Sequence, residues 1–176
     1  MKHLVITSAL IAFASASALA QAPASPLGPA YSPIVGVTAG IALPIGRLAD
    51  DHAPGYALGG LAEYAVAGQP YALRGELLYQ RFSLKSGRTT GRDVNLTSIG
   101  ATIVSRSHPA PASTFVLGGI EVFNGTDLGT RPGVNAGAGV EIPLTGFSAT
   151  GEARVHVMFA DGRPVITLPL TVGLRF

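Results

Sequence analysis

The most regular feature of the sequence is the alternation of apolar and polar residues in the segment that ends the chain. In a β-strand, residues two apart share a face, so this alternation predicts a strand with one wholly apolar side. The apolar side carries Leu170, Val172, Leu174 and Phe176. The other side carries Thr171, Gly173 and Arg175. An apolar face that ends on Phe176 is typical of a strand that turns one side towards lipid.

Similar alternation recurs along the chain and predicts eight strands, with no helical period after residue 32. Each is roughly 11 to 16 residues long, and about 9 to 11 residues are enough to cross a bilayer at a tilt. The predicted strands are 33–44, 55–68, 70–85, 93–106, 112–124, 132–143, 146–160 and 164–176. The pattern favours an all-β fold: an eight-stranded antiparallel up-and-down transmembrane barrel.

Charged and polar residues within the strands share one face, opposite the apolar one. Because the polar face is rich in glycine and poor in charge, it fits the packed interior of a narrow barrel better than a solvated surface. The predicted interior set is Glu63, Arg74, Glu76, Gln80, Glu121, Glu141, Glu152, Arg154, His156 and Arg175. Counting across the turn at 68–69 puts Glu63 opposite Arg74 as an ion pair. We expect the network to plug the lumen; a narrow path for ions is the alternative.

Aromatic residues on the apolar face occur near both ends of the strands, as in the two interfacial girdles of a membrane barrel. Those expected at the loop end are Tyr56, Tyr79 and Phe159. Those expected at the turn end are Tyr64, Tyr71, Phe147 and Phe176. Two residues depart from the pattern: Arg81 lies on the apolar face near the outer rim, and Pro169 predicts a bulge in the last strand.

The connections between predicted strands alternate in length. Three of the four odd-numbered connections are longer than any even-numbered one, as expected for outer loops and short periplasmic turns. The odd-numbered connections are 45–54, 86–92, 125–131 and 161–163. With the N-terminus in the periplasm, the odd-numbered connections become the surface loops.

Composition agrees with this interpretation. The chain is 47% hydrophobic and only 12% charged, whereas a soluble domain has about 25% charged residues. The net charge of +2 comes without any run of Lys or Arg, so nucleic acid is not an expected partner. The absence of cysteine excludes a disulfide framework.

The first twenty residues have the features of a secretory signal peptide. A basic start at Lys2 is followed by an uncharged apolar run and by the small residues Ala18 and Ala20. We expect cleavage after Ala20, a flexible lead-in over 21–32 and one barrel domain over 33–176.

Candidate chemistry is sparse. Ser148, Glu152 and His156 suggest an acyl-transfer triad, but four-residue steps along a strand separate them by about 13 Å, beyond hydrogen-bond range. The histidines His52, His108 and His156 show no metal-ligand spacing. We therefore expect no catalytic, metal or cofactor site.

Taken with the eight predicted strands, the C-terminal segment and the stretch Gly40–Gly46 resemble the small outer-membrane β-barrel family of the OmpA-domain and OmpX type. The resemblance implies a monomer in the lipid of a Gram-negative outer membrane. It also implies that Leu170, Val172, Leu174 and Phe176 form the signal read by the barrel-assembly machinery. A structural or surface-interaction role is the first hypothesis. A porin-like channel for small solutes or ions is the alternative, and a lipid-modifying enzyme is less favoured.

Overall fold

The computed structural model describes residues 33–67, 69–86, 91–107, 112–126, 128–160 and 162–176. Ile34–Phe176 forms one compact unit. The predicted signal peptide, its cleavage site, the lead-in over 21–32 and His108 lie outside the described residues.

Eight antiparallel strands form a closed barrel in which each strand pairs with its neighbours in sequence and β8 pairs with β1. The strands are β1 (Ile34–Ile45), β2 (Gly55–Ala65), β3 (Tyr71–Phe82), β4 (Val94–Arg106), β5 (Ser113–Gly125), β6 (Gly129–Leu144), β7 (Phe147–Met158) and β8 (Val165–Arg175). The predicted all-β barrel and its strand number are confirmed, and each predicted strand overlaps the observed one.

The barrel closes where the last strand meets the first. Gly36 pairs with Arg175 and Ile45 with Ile166, so β1 and β8 are joined along most of their length. The terminal residue extends the seam: the amide of Phe176 donates to the carbonyl of Val35 at 2.8 Å, and the amide of Val35 donates back at 3.1 Å. Closure leaves no open sheet edge at this seam.

The register fixes which side of the wall each side chain occupies. Apolar residues point outwards on every strand; Ile120 and Val172 are each 69% exposed. Charged residues of opposite parity point inwards, and Arg74 is only 2% exposed. This is the reverse of a soluble barrel, where apolar side chains fill the interior and charges face water.

The interior is less uniformly polar than the sequence pattern predicted. A buried apolar cluster fills the half of the lumen nearest the loops, with Phe82, Leu96, Phe123 and Met158 among its members. A smaller cluster of Val104, Phe115 and Leu117 lies at the turn end. These side chains alternate with the outward-facing ones, so both faces of their strands are apolar and the period-2 signal is weak there.

The bulge predicted at Pro169 is absent. Pro169 is buried and pairs in register with Ala42 of β1, within an unbroken run from Gly36 to Ile45. On the β7 side the ladder is interrupted: pairing resumes at His156 in the same register after a gap following Ala153. The missing N–H of Pro169 is accommodated because two residue pairs are absent from the ladder between β7 and β8, and no residue is inserted in β8.

Two loops also differ from expectation. A short helix, α1 (Arg47–Asp51), lies in the first loop. The strand β6 begins at Gly129 and includes Pro132, which shortens the third outer loop to residues 126–128. Only the first and second outer loops therefore exceed all the turns in length. Among the described residues, no helix is long and apolar enough to span a membrane.

Candidate functional site

The centre of the candidate site is Glu63, whose carboxylate receives three arginines in the turn half of the lumen. The Nε of Arg74 lies 3.1 Å from Oε2. Arg106 binds with two nitrogens, Nη1 at 2.6 Å from Oε1 and Nη2 at 2.9 Å from Oε2. The Nη2 of Arg175 lies 2.8 Å from Oε1. Strands β2, β3, β4 and β8 are thus tied together at one buried carboxylate.

Glu141 of β6 is a second point of contact for two of these arginines. Its Oε2 lies 3.0 Å from Nε of Arg106 and 2.6 Å from Nη1 of Arg175. The hydroxyl of Ser148 donates to Oε1 at 2.7 Å. Two arginines and two glutamates, Glu63 and Glu141, therefore form a closed ring of ion pairs across the lumen.

The network continues towards the middle of the barrel through Arg74 and Arg154. The Nη1 of Arg74 lies 2.8 Å from Oε2 of Glu152. Arg154 contacts the other oxygen of Glu152, and its Nη2 lies 2.8 Å from Oε2 of Glu76. Each carboxylate of this segment has a guanidinium partner, which is what burial of charge in a narrow lumen requires.

One further pair lies nearer the loop end. Nδ1 of His156 lies 2.8 Å from Oε1 of Glu121, and both side chains are buried. The imidazole meets the edge of Phe123, with the ring centroids 6.2 Å apart. Among the described residues, the ion-pair network holds five glutamates and four arginines, and His156 faces the fifth glutamate.

All ten residues expected in the lumen point into it, and nine of them take part in ion pairs. The tenth, Gln80, is fully buried beside the apolar cluster. Arg106 is not among the residues predicted to line the lumen, yet it contacts two carboxylates and lies over the ring of Phe115 at 5.8 Å. Its inward parity with Ser98 and Thr102 on β4 is the signal that would have identified it.

A cavity of about 10 Å³ lies in the lumen between Arg154 and His156, lined on the β8 side by Pro169 and Thr171. Such a space holds about one water molecule. The apolar cluster lies in the loop half of the lumen, and the ion pairs around Glu63 lie in the turn half.

The suspected triad is not assembled. Ser148 donates to Glu141, Glu152 binds two arginines, and His156 faces Glu121. No group of three or more His, Asp or Glu suited to hold a metal occurs in the part of the chain that the structure describes.

The aromatic residues expected at the two ends lie on the outer surface. At the loop end the rings of Tyr56 and Tyr79 are 6.1 Å apart, and the hydroxyl of Tyr79 donates to Oδ1 of Asn95 at 3.0 Å. At the turn end the rings of Phe147 and Phe176 are 6.2 Å apart. The remaining three, Tyr64, Tyr71 and Phe159, are exposed.

Arg81, at the loop end of β3, is an exposed partner for the loop residue Asp93. Nη2 of Arg81 lies 3.0 Å from Oδ2, and Oδ1 accepts the amide of Leu84 at 3.1 Å. The hydrogen bond from Arg81, followed by that from Leu84, lowers the pKa of the Asp93 carboxyl below its usual value. Arg81 is thus anchored to the second outer loop by its ion pair with Asp93.

A cavity of about 340 Å³ lies at the loop end of the barrel. Arg47, His52, Arg92 and Arg163 are among the polar residues that line it. Apolar residues that pack against the buried cluster form its floor. The lumen and this mouth cavity are the two places where the described residues concentrate charge.

Comparison with solved structures identifies the fold. The barrel of Neisserial surface protein A, NspA, has a TM-score of 0.66 and 20% identity, covering 81% of this chain and 95% of that one. The attachment invasion locus protein Ail of Yersinia pestis has a TM-score of 0.52 and 18% identity, covering 82% and 99%. A structure of Ail in a phospholipid bilayer nanodisc has a TM-score of 0.51 and 17% identity, covering the same shares.

These neighbours are small eight-stranded outer-membrane β-barrels, and the chain shares their fold. The chain matches no protein-family model and no curated protein sequence.

Proposed function

We propose that the chain is an outer-membrane β-barrel with a plugged lumen, whose role is structural or one of surface interaction through its loops. The observation that carries the proposal is the inversion of the barrel: apolar residues outside, paired charges inside. An enzymatic role has no support from the lumen, where Ser148, Glu152 and His156 have separate partners.

The outer wall supports insertion into lipid. Large apolar side chains are exposed on all eight strands, among them Ile41, Leu73, Ile103, Val116 and Val140. A soluble monomer rarely exposes a contiguous apolar patch of more than a few hundred Å², and here large apolar side chains are exposed on every strand. In a bilayer this outer surface faces hydrocarbon, and the closed backbone ladder satisfies the polar groups of the wall.

The same geometry supports a role without conduction. A narrow pore needs a continuous water path, and here ion pairs and apolar side chains fill the section of the lumen. The ring of Glu63, Arg106, Glu141 and Arg175 crosses the turn half, while Phe82 and Phe123 fill the loop half.

We also propose how the chain reaches its place. A signal peptide over residues 1–20, cleaved after Ala20, directs export. The barrel-assembly machinery reads the outward residues of β8 together with Phe176, which extends the seam with β1. The mature barrel over 33–176 is a monomer with outer-membrane lipid around it.

The first test is localisation. Expressed in a Gram-negative host, the full chain should fractionate with the outer membrane, with Gln21 as its first residue. It should migrate faster on a gel before boiling than after, because a folded barrel resists the detergent. Recovery as a periplasmic protein without a mobility change would contradict the proposal.

The second test is conductance. Reconstituted in planar bilayers, the purified barrel should give no stable single-channel current, because the ion pairs and apolar cluster leave no water path. Two matched variants each remove one side chain from the lumen. Arg106→Ala removes one from the turn half, and Phe82→Ala removes one from the loop half. A reproducible, ion-selective current from the unaltered chain would favour the porin-like alternative.

A further inference from the structure

The cavity of about 340 Å³ at the loop end is lined by three arginines and His52, together with Asp51 and Asp93. Arg47 comes from α1, Arg92 from the segment before β4, and Arg163 from the segment before β8. Nε2 of His52 lies 3.1 Å from the carbonyl of Arg92 and so links the first outer loop to the second. Three loops thus bring cationic side chains to one concave site.

The three arginines of the rim have no ion pair in the structure over the described ranges, whereas the lumen arginines are all paired. Two carboxylates, Asp51 and Asp93, also line the cavity. Asp93 binds Arg81 at 3.0 Å and accepts the amide of Leu84, and Asp51 also has a partner. Among the described lining residues, three arginines therefore outnumber two carboxylates, which leaves a small excess of positive charge for a ligand.

The floor of the cavity is apolar. It is formed by four side chains that face the cavity on one side and pack against the buried apolar cluster of the lumen on the other: Leu48, Val94, Leu128 and Val165. A ligand here would lie over the plug and inside the circle of loops. Because the apolar plug separates it from the lumen, the site is entered from the aqueous side beyond the loops.

We propose that this mouth cavity binds a small organic phosphate monoester, with the phosphate held by Arg47, Arg92 and Arg163 and a compact apolar group on the floor. Guanidinium groups hold phosphate oxygens with two parallel hydrogen bonds, which favours arginine at such sites. The volume lies at the lower end of the range for small-molecule sites, about 300 to 1,000 Å³. A soluble ester fits the position over the plug better than a lipid headgroup at the outer wall.

The test uses the full barrel, refolded in octyl glucoside micelles, and phenyl phosphate as the probe in titration calorimetry. Phenyl phosphate should bind at one site, inorganic phosphate at least about tenfold more weakly, and phenol not at all. Affinity should fall as salt rises, because the rim charges are screened. Backbone resonances that shift should belong to residues 47–52, 92–94, 126, 128 and 160–165, where these are observed.

The variants separate the site from general charge. Arg92→Gln with Arg163→Gln should weaken phenyl phosphate binding at least about tenfold, whereas the control Lys85→Gln should stay within about twofold. Lys85 is a loop cation whose Nζ donates to the carbonyl of Ala49 and which does not line the cavity. If the double variant does not fold, as judged by gel mobility, Arg163→Gln alone serves, with about a threefold loss expected.

Three results would overturn the proposal. The first is no binding of phenyl phosphate by the folded barrel. The second is unchanged affinity in the folded arginine variants. The third is binding only to micelles doped with phosphatidic acid, which would assign the phosphate to a lipid headgroup at the wall. The inference rests on the proposed function in one respect only, namely that the loop end of the barrel faces the aqueous phase outside the membrane. A failure of binding in a barrel that shows the heat-dependent mobility would therefore leave the membrane assignment intact.

Discussion

Replacing Glu63 with glutamine should destabilise the barrel more than any other substitution of a single carboxylate. The change removes the negative charge that Arg74, Arg106 and Arg175 share and leaves their guanidiniums buried with less compensation. Breaking a buried pair by removing one partner costs about 3 to 5 kcal/mol. The measurement is urea unfolding in lipid vesicles, followed by circular dichroism and gel mobility, since the chain has no tryptophan.

The matched control is Asp93→Asn, which makes the same carboxylate-to-amide change in the exposed pair with Arg81. Exposed pairs contribute little because water screens them, so the unfolding midpoint of this variant should stay close to that of the parent. If Glu63→Gln and Asp93→Asn shift the midpoint equally, the ring of ion pairs does not hold the strands together.

The fold could be predicted from the sequence because a membrane barrel repeats one rule eight times. Each strand must offer an apolar face to the outside, and a one-residue slip would reverse every side chain. The short turns then fix the register. The turn between β2 and β3 places Glu63 opposite Arg74, a relation that counting residues is enough to establish.

The ion-pair partners across the barrel could not be predicted in the same way. Arg175 and Glu63 are 112 residues apart in sequence and lie on strands that are not neighbours. Their contact depends on the radius of the barrel and on side-chain length, which no local pattern encodes. Arg106 was missed for a different reason: it is the last residue of β4, where a turn residue and a lumen residue look alike.

The apolar part of the lumen could not be predicted from the alternation of apolar and polar residues that identified the outer wall. Where Phe123 follows Val122, both faces of the strand are apolar and parity carries no information. Pro169 misled in the opposite direction, since a missing donor can be accommodated by two unmade pairs on one side of a strand as well as by a bulge. The sequence shows that Pro169 lacks a backbone N–H donor, but the pairing with the neighbouring strands determines how that lack is accommodated.

The second substitution with a large expected effect concerns the buried pair of Glu121 and His156 in the lumen. With four arginines against five glutamates in the described network, one carboxylate lacks an arginine, and Glu121 is the one that meets His156. The pair lies beside Phe123, in surroundings that cannot solvate a lone charge.

Replacing His156 with leucine should therefore cost about 3 kcal/mol of stability at neutral pH, because Glu121 remains buried without its partner. Adding Glu121→Leu should restore most of that loss, since the double variant leaves four arginines facing four glutamates and fills the site with apolar volume. Urea unfolding of the parent, both single variants and the double variant gives the coupling energy. Additive losses would show that His156 and Glu121 stabilise the barrel independently. A coupling energy close to the full loss of the single variant would show that His156 and Glu121 act as one pair.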